Sequence, residues 1–380
     1  MRRKFARRLP KLWAILTSAP AMVYRLGLRH LGLSSLPELY YVVPDAGWSV
    51  DWDGYYITRG ITHQFGWQAH VTSTPHLLVD HIIHYGQLWG FLGSLSSRVN
   101  TRNTVVATVF HGNRTAQYPE LARATDQLVE NSHVPARIVT ACRITEQRLA
   151  AWGISSDKIV RIPLGVDLSL FNPASPQQRL TLRRKYGVPD DAFCIGSFQK
   201  DGNGWEEGLT PKLIKGPDVF LRVIERLHKQ YKLFVFLTAP ARGYVKQGLE
   251  SLNVPYRHEI LSDYREVASL YHCLDLYLVA SREEGGPKAV LESLASGVPL
   301  VSTRVGLVPD IVQHEQNGCL TDSEDVDSLA EHVARLIEQP ELRDRLAANG
   351  LTSIVSYDWQ HIATKYYQEL YRPLLNELSQ

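Results

Sequence analysis

Two carboxylates, Glu284 and Glu292, stand with seven residues between them, and Gly285, Gly286 and Pro287 lie in that interval. The pattern suits a ligand that carries hydroxyls on either side of a phosphate. Glycines let backbone approach a ligand closely, and Pro287 fits the first position of a helix, where the N–H it lacks would be unpaired. A helix start also offers free amides and a partial positive charge to a phosphate. At about 1.5 Å of rise per residue, Glu292 lies roughly 7 Å along a helix that begins after Pro287. The two carboxylates could then accept hydroxyls at both ends of a diphosphate, Glu284 from a transferred sugar and Glu292 from a ribose.

The flanking sequence supplies the elements that such a site needs. Leu274–Ala280 is a short apolar run of strand formers, and Lys288–Ala295 carries apolar residues at helical spacing, so Ser281–Pro287 reads as a strand-to-helix turn. Further strands are expected at Leu39–Val43, Val105–Phe110, Ile138–Thr140, Phe193–Phe198, Lys232–Leu237 and Pro299–Thr303. Helical stretches such as Tyr264–Cys273 stand between them. This alternation predicts α/β domains with mostly parallel sheets. Pro44–Gly54 reads as a loop containing Gly47, Pro173–Asp190 as an interdomain linker, and Trp359–Leu378 as a terminal helix. His111 ends the strand that begins at Val105, and Lys215 closes a long loop, Lys200–Ile214, directly before Gly216 and a helical pattern.

The chain resembles the retaining glycosyltransferases of family 4, whose fold is GT-B. Glu284, Gly286 and Glu292 with the following LESLASGVPLV match the Glu-x7-Glu signature of that family. Ile162–Pro173 (IPLGVDLSLFNP), Lys215–Leu227 (KGPDVFLRVIERL) and Asn317–Asp322 (NGCLTD) match in the family's order. The resemblance covers most of the chain after residue 39. It implies two Rossmann-like domains facing across a cleft: residues 39–185 for the acceptor, 190–355 for the nucleotide sugar, and 356–380 crossing back to the first domain.

It further implies catalytic roles for Glu284, His111 and Lys215, with Lys215 binding the donor diphosphate and His111 touching the donor sugar. Glu292, Gly286, Pro287 and Lys288 fall to donor binding, and Gly47 is the candidate for backbone approach to phosphate or acceptor. The family often has an Arg just after the strand glycine, whereas this chain has Gly196-Ser197-Phe198-Gln199-Lys200. Lys200 is the candidate for that second positive charge.

Other motifs are weaker. Gly202-Asn203-Gly204-Trp205-Glu206-Glu207-Gly208 is one residue too long for a dinucleotide fingerprint, no helix follows it directly, and the next strand ends in Thr238-Ala239-Pro240 rather than an acidic residue. The segment reads instead as a mobile loop near the donor. Asp51-Trp52-Asp53 spells the Asp-x-Asp with which glycosyltransferases of another fold hold a divalent cation. Here it is expected to be an acceptor-side or helix-start element, with no metal and no cofactor beyond the nucleotide sugar as co-substrate.

A chain of 380 residues with 44% hydrophobic content suits two domains of ordinary size. Cys142, Cys194, Cys273 and Cys319 are far apart and form no CxxC pair, so they read as small buried hydrophobes in a reducing compartment. The net charge of +2 is uneven. Residues 1–37 hold eight Lys and Arg and no Asp or Glu, which leaves −6 on the rest. Residues 1–38 thus form a basic extension, and its Leu12, Trp13, Ile15, Leu16, Met22, Val23 and Tyr24 favour an anionic membrane surface over nucleic acid. A targeting peptide and a plain N-terminal helix are the rival readings.

The function expected from this sequence is transfer of a hexose from a nucleotide diphosphate sugar to a hydroxyl of a glycan or lipid-linked acceptor. The setting would be polysaccharide or glycolipid biosynthesis, in the cytoplasm or at the membrane periphery. The rivals are a GT-B partner subunit that binds sugar nucleotide or glycan without turnover, and a GT-B epimerase that needs no acceptor.

Overall fold

The computed structural model describes residues 37–44, 49–97, 101–115, 117–204 and 206–378. The basic extension, apart from Pro37 and Glu38, and Gly47 lie outside them. The chain divides into two units: residues 1–140, 145–162 and 360–380 form the first, and residues 141–144 and 163–359 the second. Among the described residues no helix is long and apolar enough to cross a membrane.

The first unit is built on six parallel strands, β1 (Leu39–Val42), β2 (Ala69–Thr72), β3 (Ile82–Tyr85), β4 (Thr104–Thr108), β5 (Arg137–Thr140) and β6 (Ile159–Arg161). Their order is β2-β1-β3-β4-β5-β6, so the winding reverses between β1 and β3. One face packs Ile83, Val105, Ala107 and Ile138 against Phe91, Leu128 and Leu149. The end of the expected loop, Pro44–Gly54, belongs instead to a helix that starts at Ser49 and runs to Phe65. Gly54 sits inside it for packing: a Cβ there would lie 2.8 Å from the Tyr41 ring, so the glycine marks close approach of helix and strand rather than a loop. Asp51 and Asp53 are both on this helix, where residues two apart face different sides. Asp53 is buried, and its charge helps to raise the buried Tyr41 and Tyr366 hydroxyls above their usual range, after the larger effect of burial.

The C-terminal residues continue as a helix at Trp359–Lys365, a π-turn at Tyr366–Tyr371 and a last helix at Arg372–Leu378. Within the first unit Tyr367 stacks on Phe65 at 4.0 Å between ring centroids. The Tyr371 hydroxyl meets His84 Nδ1 at 2.5 Å, while His84 Nε2 meets Thr108 Oγ1 at 2.7 Å. Burial lowers the His84 pKa from 6.5 to about 3. A depressed imidazole contributes stability that is present above the unfolded value and is lost as pH falls toward the folded one. We therefore expect unfolding free energy to fall below pH 6.5, by up to about 1.4 kcal/mol per pH unit from this group alone. Thermal unfolding between pH 6.5 and 4.5 should show a shallower slope in His84→Gln than in wild type. Equal slopes would contradict the assignment.

The second unit repeats the plan with β7 (Phe193–Ser197), β8 (Leu233–Thr238), β9 (Tyr256–Glu259), β10 (Leu276–Val279), β11 (Leu300–Thr303) and β12 (Cys319–Thr321), all parallel. The order β12-β11-β10-β7-β8-β9 is that of a doubly wound nucleotide-binding sheet, reversing between β7 and β10. β8 is buried along its whole length, as a central parallel strand must be. Helix Pro217–Leu227 buries Val219, Phe220, Val223, Ile224 and Leu227 against that sheet.

The expected linker, Pro173–Asp190, is instead part of this unit. It folds into helix Pro176–Lys185, capped by Ser175 and Gln178. Arg179 and Arg183 of that helix hold the two carboxylate oxygens of Asp275 at 2.6 and 3.0 Å, just before β10. Its prolines and charges serve a cap and these ion pairs rather than flexibility. All four cysteines are buried and free.

Candidate functional site

Ligands in doubly wound sheets bind beyond the carboxyl ends of strands where the winding reverses, which here means the loops after β7 and β10. The loop after β10 holds Ser281–Pro287, and the helix that follows, Lys288–Ala295, starts without a side-chain cap. Pro287 is its cap residue rather than its first helical one. Gly286 is closely packed: a Cβ there would lie 2.5 Å from Leu164 and 3.0 Å from Leu307.

Lys215 and Glu284, 69 residues apart in the chain, meet here. Lys215 Nζ lies 2.6 Å from Glu284 Oε2, and the Ser281 hydroxyl donates to Glu284 Oε1 at 3.0 Å. Their backbones are tied as well, because Arg282 and Glu283 donate their amides to the Ile214 carbonyl at 2.8 and 3.0 Å. Gln199, in the loop after β7, donates its side-chain amide to the Lys215 carbonyl at 2.9 Å. Lys215 ends a short 3-10 turn, Leu213–Lys215, and Gly216 then takes φ +62° before Pro217 opens the helix. Only glycine fits: a Cβ at 216 would lie 1.8 Å from the Ala280 carbonyl oxygen.

The surroundings of the pair are cationic. Lys212 is shifted down from the ordinary lysine value by burial and by the neighbouring charges of Lys215 and Lys200, with Glu284 acting in the opposite sense. Lys200 is shifted down by burial. Lys212 thus feels two further ammonium groups and one carboxylate, a balance that favours an anion. Lys212 was not singled out in the sequence, where it is one lysine inside a long loop.

That loop is anchored rather than mobile at its base. An isolated antiparallel bridge joins Gly202 to Pro211. Gly202 and Gly208 press on Ala241 so closely that a Cβ at either would lie within 2.4 Å of its carbonyl oxygen. Asp201 and Arg242, both buried, form an ion pair at 3.0 Å beneath the loop.

Glu292, on the helix after β10, is buried and accepts from two tyrosines: the Tyr264 hydroxyl at Oε1, and the Tyr271 hydroxyl at Oε2 at 2.8 Å. Burial first, and the Glu292 charge second, hold the Tyr271 hydroxyl well above its usual range, so it stays a proton donor. Lys288 lies 5.8 Å from the centroids of both the Tyr264 and Trp359 rings, a cation–π arrangement at the helix start. Neither tyrosine was recognisable as a site residue from sequence, since each is an aromatic in a helical stretch.

His111 belongs to the first unit. It is half-buried in the loop three residues beyond β4, rather than at the end of a strand as expected. Gly47 is not among the described residues. Among those, no group of three or more His, Cys, Asp or Glu is placed to hold a metal ion.

Comparison with known proteins bears on the domain and the fold. Residues 209–352, which contain Lys212, Lys215, Glu284 and Glu292, match the glycosyl transferases group 1 family. The D-inositol 3-phosphate glycosyltransferase of Xylanimonas cellulosilytica is 28% identical over 256 residues, 64% of this chain and 56% of that protein. That of Corynebacterium jeikeium is 26% identical over 268 residues, 66% and 61% of the two chains. The chain thus spans about six-tenths of the length of these curated relatives. Among solved structures, HepE of Anabaena in complex with UDP and glucose superposes with a TM-score of 0.69 at 17% identity, covering 89% of this chain and all of that one. Sucrose-phosphate synthase of Thermosynechococcus elongatus superposes with a TM-score of 0.62 at 18% identity, covering 84% and 76%. Residues 209–352 therefore resemble a glycosyl transferase group 1 domain, in a chain of the GT-B fold.

Proposed function

We propose that the chain is a retaining glycosyltransferase that moves a hexose from a nucleoside diphosphate sugar to a hydroxyl of a glycan or lipid-linked acceptor. The observation that carries this reading is the Lys215–Glu284 pair at the reversal point of a nucleotide-binding sheet, beside Gly286 and an uncapped helix start. Lys215, with Lys212 and Lys200, neutralises the diphosphate as it departs. Glu284 accepts a hydroxyl of the transferred sugar, and Glu292 the ribose diol. Following the family resemblance, the acceptor oxygen bonds to the anomeric carbon on the face from which the phosphate oxygen leaves, and the departing phosphate takes the acceptor's proton. His111 keeps the catalytic role that the same resemblance implies.

Because protein ammonium groups are assigned to the leaving group, donor binding is expected to survive excess EDTA. HepE was solved with UDP and glucose, so UDP-glucose is the first donor to test, followed by other nucleotide sugars. A donor at about 100 times its dissociation constant should add about 2.7 kcal/mol of stability. If no nucleotide sugar raises the melting temperature, the reading fails. If EDTA abolishes the shift and manganese restores it, the diphosphate is neutralised by a metal instead.

A further inference from the structure

In the structure Glu292 is already occupied from within the chain. Its Oε2 is bonded by the fully buried Tyr271, which is part of the core beneath it. Its Oε1 is bonded by Tyr264, which is less buried. Tyr264 is only half-buried and opens a three-residue 3-10 turn, Tyr264–Glu266, at the outer end of the short helix Val267–Tyr271 whose last residue is Tyr271. That turn is tethered by its own Asp263, which accepts from the Arg265 amide at 2.9 Å. The Tyr264 ring rests at 6.1 Å from the Phe171 ring centroid and 5.8 Å from the Lys288 ammonium.

We propose that Tyr264 is a latch on the nucleotide site: its hydroxyl holds the position on Glu292 Oε1 that a ribose hydroxyl takes, and donor binding displaces it. The proposal rests on the assignment of Glu292 to the ribose. A phenol and a ribose hydroxyl are both neutral O–H donors, so each can satisfy the same carboxylate oxygen. Hydrogen bonds stabilise a buried carboxylate, and Tyr264 adds one at Oε1 to that from Tyr271 at Oε2 in the absence of nucleotide. Tyr264 is therefore a positioning residue, which lowers the affinity for nucleotide and keeps Glu292 oriented between turnovers.

The test measures binding of UDP, GDP and ADP by calorimetry, and of the 2′-deoxy form of whichever binds best, to wild type, Tyr264→Phe and Glu292→Gln. Tyr264→Phe keeps the ring and its stacking but removes the competing hydroxyl. It is expected to bind the ribonucleotide roughly three- to tenfold more tightly, with a smaller gain for the 2′-deoxy form, so that discrimination between the two widens. Unchanged or weaker ribonucleotide binding by Tyr264→Phe overturns the latch. If Glu292→Gln binds as wild type does, or none of the three diphosphates binds, the ribose assignment itself fails and the latch with it. Melting temperatures of both variants within a few degrees of wild type would show that the fold is intact. A Tyr264→Phe protein that unfolds would show that the hydroxyl is structural, which also overturns the proposal.

Discussion

Lys215→Ala is expected to weaken nucleoside diphosphate binding by roughly 1.5 to 3 kcal/mol, the range for a hydrogen bond to a charged group, and to depress turnover further. Two effects add. The ammonium that faces the diphosphate is lost, and Glu284, held at 2.6 Å from that ammonium, is left as a carboxylate beside an incoming anion. Ser281 still donates to it and keeps it in place. The second effect has its own signature, because Lys215→Ala combined with Glu284→Gln should recover part of the binding lost in Lys215→Ala while turnover stays low. Titration calorimetry on the four proteins of this cycle measures both quantities. Wild-type affinity in Lys215→Ala would contradict the assignment, and strictly additive changes would show that the two residues do not act on a common ligand.

Gly216→Ala is expected to be the most damaging single-methyl change in the site. The new Cβ would lie 1.8 Å from the Ala280 carbonyl oxygen, which is backbone at the end of β10 and has little room to yield. The residue would also have to hold φ +62°, a left-handed conformation that costs an alanine about 1 to 2 kcal/mol. With overpacking added, the stability loss should be roughly 3 kcal/mol. Either the Leu213–Lys215 turn with the helix that follows it or the loop after β10 must shift, and the turn carries Lys215 while the loop carries Glu284. Nucleotide binding should therefore fall even at temperatures where the variant is folded. Thermal unfolding together with binding at 10 °C separates the two effects, and a variant with wild-type melting temperature would refute the packing argument.

What sequence revealed here was local. β10 with its glycine turn and the next helix could be read because an apolar strand run, two glycines, a proline and helical spacing stand within about twenty residues. The signal weakened wherever partners are distant. Nothing near Glu292 announces Tyr264 and Tyr271, which come from 28 and 21 residues upstream through the packing of separate elements. Lys212 becomes a site residue only because the loop folds back through the Gly202–Pro211 bridge. Local signs also misled in two places. Gly54 reads as a breaker but lies within a helix where Tyr41 needs the space. Pro173–Asp190 reads as a linker, but Pro176 opens a helix that is capped by Ser175 and whose arginines are committed to Asp275. His84 shows a third limit: in a parallel sheet covered on both faces, a polar strand residue can be buried, and sequence does not say which helix will satisfy it.

The central claim, transfer with retention at the Lys215–Glu284 site, is tested most directly by the stereochemistry of the first product. The donor that stabilises the protein most is incubated with enzyme and excess EDTA. The anomeric proton of the initial product is then followed by NMR, with water as acceptor if no alcohol is used. The expected result is release of the nucleoside diphosphate and a product with the donor's anomeric configuration, at a rate reduced more than tenfold by Lys215→Ala. An initial product of inverted configuration, or a rate unaffected by Lys215→Ala, would contradict it.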